Sequence, residues 1–149
     1  MTVTDLHGKQ LPLPGPAASL ATPRVVVAVD TRPSSVTALA WAADEALCRG
    51  MSLRIVTAFA DAGQQPAPRT VEQAMDLQRR LRRQLESNRP WLDEAELVVR
   101  RGNAHALLAE AASDTDIVVV GETAGVGATD PAYRLPCPVV IVPAAPADG

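Results

Sequence analysis

The chain has 149 residues, 47% of them hydrophobic, which is enough for one buried core and too little for two ordinary domains. Aromatic residues make up 3% and the formal charge is −3, which argues against an aromatic stacking groove and against a basic field able to hold nucleic acid or a membrane surface. Two cysteines, Cys48 and Cys137, and two histidines supply neither a disulfide framework nor a metal-ligand spacing, so a reducing compartment is expected.

Residues 1–23 contain no basic start followed by an apolar core and a small-residue cleavage site, and no later segment is apolar for membrane-spanning length, so a cytoplasmic location is expected. Pro12, Pro14 and Pro16 mark 1–23 as a flexible proline-rich tail outside the fold. The folded domain is expected over 24–143, with 144–149 a second flexible tail.

From 25 to 29 the order Val, Val, Val, Ala, Val is continuously apolar, the signature of a strand buried on both faces. It ends at Asp30. Pro33, Ser34 and Ser35 then open a helix over 36–49, in which Val36, Leu39, Ala43 and Leu47 recur at helical spacing and Gly50 closes the segment. A second strand covers 53–59, and 61–69, rich in Gln, Pro and Ala, is a loop. Residues 70–87 read as a helix with an apolar stripe of Val71, Ala74, Leu77, Leu81 and Leu85, leaving Arg79, Arg80 and Arg83 on solvated faces and Arg82 at the rim. A third strand at 96–100 is followed by Gly102, Asn103 as N-cap, and a helix over 104–113. Residues 116–121 and 138–143 are the fourth and fifth strands, separated by a loop of Gly, Ala and Thr.

Strands alternating with helices imply an α/β fold: a parallel sheet with right-handed crossovers and helices on both faces. Ligands of such sheets sit at the carboxyl ends of the strands, where the strand order reverses. That places the candidate edge at 30–35, 58–62, 102–105 and 121–136.

Several segments together resemble the universal stress protein family over 24–143. They are the first strand ending in Asp30 and followed by Pro33, Ser34 and Ser35; the Ala-rich helix around Trp41; 99–102, ending in Gly102; 112–121, ending in Gly121; and 137–142, opening with Cys137 and Pro138. The resemblance implies a Rossmann-like five-stranded sheet ordered 3-2-1-4-5 and a homodimer formed through the last strand. It also implies that Asp30 contacts an adenosine, that Ala58 lends backbone contacts, and that a loop beginning at Val120 and Gly121 wraps ribose and phosphates.

The sequence departs from the family in that loop. Ala124 stands where a second glycine belongs, and the stretch from Gly121 to Cys137 is shorter than the family's, with Gly125 and Gly127 as partial substitutes. Asp130 and Pro131 occupy the place where a Gly-Ser step normally opens a helix: the carboxylate repels a phosphate, and proline removes an anion-binding N–H. The like charge costs on the order of 1 kcal/mol, and each lost charge-assisted hydrogen bond roughly 1.5 to 3 kcal/mol more. Arg32, in place of the small polar residue usual before the proline, returns positive charge if it faces the ligand.

Each candidate has a structural reading beside the functional one. Asp30 is also a natural turn residue, the glycines suit any tight turn, and His105 suits a solvated first helical turn. Ser34 and Ser35 have no histidine placed to activate them, and Cys48 and Cys137 are expected to be inert packing residues. The expectation is therefore a non-catalytic stress-response domain acting through an unknown protein partner, with nucleotide binding weakened or lost and no resident cofactor. The alternative is a regulatory domain binding AMP, ADP or ATP through Asp30, Ala58, Val120, Gly121, Gly125 and Gly127. An adenine-nucleotide hydrolase or transferase ranks third, since no base, metal cluster or lysine on a glycine-rich loop is visible.

Overall fold

The structure is a computed structural model that describes residues 3–4, 10–11, 23–60, 68–102, 104–111, 115–122, 135 and 137–143. Within the segment expected as a tail, β1 (Val3–Thr4) and β2 (Gln10–Leu11) pair antiparallel; the rest of 1–22, the loop at 61–67 and the tail at 144–149 lie outside the described residues.

The main sheet contains β3 (Arg24–Ala28), β4 (Ser52–Phe59), β5 (Glu96–Arg101), β6 (Ile117–Gly121) and β7 (Val139–Val142). Their order is β5-β4-β3-β6-β7 and every pairing is parallel. Counted within the sheet this is the expected 3-2-1-4-5. Val25, Val26 and Val27 of the central strand are fully buried, because helices cover both faces. Period-2 alternation sends Val25 and Val27, with Ile55 and Val119, into a core shared with α1 (Ser34–Arg49) and α2 (Val71–Glu86). Val26, Val56, Val118 and Val120 face α3 (Ala104–Ala111) on the other side.

Helix α1 meets the sheet with Ser34, Ser35, Ala38, Leu39, Ala42, Ala43 and Ala46. The small residues allow close approach, and Leu47, expected in the stripe, is 55% exposed instead. Cys48 is exposed as well, not packed. The helix stops at Gly50, whose φ of 65° is the left-handed conformation glycine tolerates. There the Met51 N–H reaches Ala46 O at 2.8 Å, closing a Schellman turn.

Thr70 caps α2 by accepting the Gln73 N–H at 3.1 Å, and Gln73 Oε1 reaches back to accept the Arg69 N–H at 2.8 Å. Val71, expected in the buried stripe, is exposed. A short 3-10 helix, Pro90–Glu94, buries Leu92 between α1 and α2, and Trp91 Nε1 donates to Ala43 O at 2.8 Å. Arg89 grips Asp44 with Nε to Oδ1 at 2.9 Å and Nη2 to Oδ2 at 3.1 Å.

The apolar face of α2 carries one polar exception. Gln78 is 1% exposed, and the two hydrogens of its Nε2 are shared among Val98 O at 2.8 Å, Thr57 Oγ1 at 3.0 Å and Ile55 O at 3.2 Å. Its Oε1 has no partner among the described residues. The amide thus ties α2 to both β4 and β5 at the cost of one buried acceptor.

At the end of β6 the sheet and α1 nearly touch. A Cβ added to Gly121 would lie 2.5 Å from Ser34 Oγ, 2.8 Å from Ser34 Cβ and 2.9 Å from the Ser34 carbonyl carbon. Glycine is required here by space.

Two stability predictions follow from these contacts. Gly121→Ala should lose about 1–3 kcal/mol in urea denaturation, the usual cost of overpacking, and Ser34→Gly in the same chain should restore only part, because the backbone contact stays. Gln78→Glu places a carboxyl among acceptors, so its folded pKa rises above the unfolded value of about 4.3. Its stability is then closest to wild type at or below pH 4 and falls as pH rises through the folded pKa. Urea curves should show a penalty of roughly 4 kcal/mol at pH 8; equal penalties at both pH values would contradict the assignment.

Candidate functional site

The sheet order reverses at β3, between β4 and β6, and the chain leaves all three strands on the same edge. Ala28 is level with Val56 and with Val120. Two residues further on, the register puts Asp30, Ala58 and Glu122 at one height above the sheet. Fold and register therefore bring Asp30, Ala58, Val120 and Gly121 together, while Gly125 and Gly127, with Ala124, Asp130 and Pro131, lie outside the described residues. Asn103 and the side chain of His105 lie outside them too.

Val29 continues β3 by donating its N–H to Val56 O at 3.0 Å. Asp30 then turns the chain. Its N–H donates to Ser35 Oγ at 2.8 Å, and Ser35 Oγ donates in return to Asp30 Oδ1 at 2.9 Å. The same oxygen accepts the Arg32 N–H at 2.8 Å, forming an Asx turn that leads into α1. On the outer oxygen, Oδ2, Asp30 accepts Arg32 Nη1 at 3.3 Å. The positive charge that sequence alone could not aim is directed at Asp30.

The other candidates are equally engaged. Ser34 Oγ donates to Glu122 O at 3.0 Å, and Ser34 and Ser35 are both buried, so neither hydroxyl is exposed as a nucleophile. Val120 turns its side chain into the α3 core, and Ala58 packs against the same core, which leaves their backbones as what they can offer a ligand. Beside Ala58, Gly102 N–H donates to Phe59 O at 2.8 Å, and the Arg101 guanidinium sits 5.3 Å over the Phe59 ring. Glu122, exposed and level with Asp30, adds a carboxylate to this edge that sequence reading did not single out.

Burial pushes the Cys137 thiol up, nearby Asp116 raises it further, and backbone hydrogen bonds oppose the rise in part. It is therefore a poor thiolate. Among the described residues no cluster of three or more His, Cys, Asp or Glu is placed to hold a metal ion, and no helix is long and apolar enough to cross a membrane. An open groove of about 690 Å³ lies at the amino ends of the strands, lined by Trp41, Met51, Ile117 and Val140 among others. It is on the edge opposite Asp30.

Several solved structures share this fold. The chain is similar to a universal stress protein in complex with cAMP, at 23% identity and a TM-score of 0.64 over 84% of this chain and 99% of that one. It is similar to the universal stress protein of Archaeoglobus fulgidus in complex with dAMP, at 22% identity and a TM-score of 0.55 over 83% and 99% of the two chains. A universal stress protein family protein of Arabidopsis thaliana with AMP bound aligns at 17% identity and a TM-score of 0.55 over 85% and 94%. No curated protein sequence matches the chain. The universal stress protein family model matches residues 22–143, and with the sheet order and edge geometry above this chain belongs to the universal stress protein family.

Proposed function

We propose that this protein is a non-catalytic regulatory domain of the stress response, acting through protein contacts in the cytoplasm, with adenine-nucleotide binding weakened relative to the nucleotide-bound relatives. The observation that carries the reading is the state of Asp30. A carboxylate that would contact an adenosine already accepts a backbone N–H, a serine hydroxyl and a guanidinium from its own loop. A ligand must compete with these for the remaining acceptor capacity of Oδ2, and the sequence after Gly121 lacks the second glycine and the Gly-Ser step that would offer donors in exchange.

Absence of a catalytic role is supported by the chemistry of the edge. Its serines are spent on backbone and carboxylate partners, and hydrolysis or group transfer needs an activated nucleophile, a metal or a base within reach. Fold membership supplies none of these. A homodimer through β7 fits the same reading: among the described residues β7 is an edge strand of the sheet, with no strand on its outer side, and such an edge is one that a second copy can cover.

A second reading, a nucleotide-regulated domain, is favoured by the convergence of Asp30, Ala58 and Gly121 on one edge and by relatives solved with cAMP, dAMP and AMP.

Freshly purified protein, denatured and chromatographed, is expected to release no stoichiometric adenine nucleotide, and calorimetric titration with ATP and AMP should give dissociation constants weaker than about 100 µM. Co-purified nucleotide or micromolar affinity would replace the first reading with the second. In sedimentation equilibrium the protein should run at twice its chain mass; a monomer at concentrations on the order of 100 µM would refute the β7 interface, since interfaces of standard size hold together well below that.

A further inference from the structure

The two oxygens of Asp30 have different tasks. Oδ1 belongs to the fold: it receives the Arg32 N–H and the Oγ of Ser35, a residue 2% exposed. Oδ2 receives the Arg32 guanidinium at 3.3 Å, with the Arg32 and Asp30 side chains 30% and 41% exposed. An ion pair open to water in this way is weak and exchanges with competing donors.

We infer that Arg32 is a built-in competitor at this edge: its guanidinium pairs with the Asp30 oxygen left open to a ligand, and so lowers affinity for neutral polyol ligands such as nucleosides. The inference rests on the proposal that the edge once bound, or weakly binds, a nucleoside. The turn does not depend on the Arg32 side chain, because what enters the Asx turn is the Arg32 backbone N–H. Removing the side chain therefore leaves the hydrogen bond that closes the turn in place. An uncharged ligand has nothing to draw the guanidinium away, whereas a phosphate offers it an alternative partner. Arg32 thus also biases the edge against nucleosides and toward nucleotides.

The test is a titration of 15N-labelled wild type, Arg32→Ser, Arg32→Lys and Arg32→Ser/Asp30→Ala with adenosine and with AMP, followed by NMR into the millimolar range. Arg32→Ser should bind adenosine about two- to fivefold more tightly than wild type, the span of an exposed ion pair. Arg32→Lys should stay near wild type, and the gain should vanish in the double variant. Raising the salt concentration should narrow the difference between wild type and Arg32→Ser, because screening weakens the internal pair. Adenosine affinity unchanged or reduced in Arg32→Ser, or no binding in that variant at all, overturns the inference and leaves the proposed weak nucleotide binding standing. Micromolar AMP binding by wild type sinks that proposal instead, and the adenosine comparison still decides the role of Arg32.

Discussion

Helix α1 lies against β3 and β6 with serine and alanine at most of its contact positions, and its first residue, Ser34, leaves no room for a Cβ at Gly121. That separation fixes the carboxyl edge of the sheet. With α1 drawn in so far, Ser34 reaches the backbone of Glu122 and Ser35 reaches back to Asp30, joining the ends of β3 and β6 through the start of one helix. Thr37 extends the same seam by donating to Pro143 O at 3.0 Å, just past β7. A larger residue at any of these points would move the helix outward and separate the strand ends, because a packed interior leaves no slack to absorb the volume.

The same closeness gives the edge its chemical character. Hydroxyls that would otherwise face a ligand are turned onto carbonyls and onto Asp30, so the loop between β3 and α1 satisfies its own polar groups. Such a loop is held by hydrogen bonds within itself. Glu122 beside Asp30 gives the rim a negative bias that Arg32 offsets locally.

The strands and helices were legible in sequence because both faces of the sheet are covered, leaving uninterrupted apolar runs such as 25–29 that only a buried parallel strand explains. The strand order came from the family resemblance rather than from the runs themselves. Helix faces were read less well. Leu47 and Val71 fit the expected stripes by spacing and size, yet α1 buries the alanines at 38, 42 and 46, one step around the helix from Leu47. Gln78 is the converse case, a polar residue at the core position whose partners are strand carbonyls and a threonine brought near only by the tertiary fold. At the site, Asp30 was legible as both a turn residue and a ligand contact, and the geometry realises the turn. Arg32 and Glu122 were not, because a side chain's direction depends on rotamer and neighbours rather than on spacing.

Gly121 shows why a family motif and a function must be weighed separately. As the last residue of β6, it matches the glycine that the family resemblance implies for a ribose and phosphate loop, but here the contact with Ser34 demands glycine whether or not anything binds. A residue kept by packing carries no information about a ligand. Asp30 is in the same position, since the helix start would select an aspartate even in a chain that had lost its nucleotide. The Arg32 side chain discriminates better, since the residue's backbone N–H rather than its guanidinium closes the Asx turn. Identities of 17 to 23% to nucleotide-bound relatives go with a shared fold and do not assign a ligand to this chain, because function is argued from the site rather than from the fold.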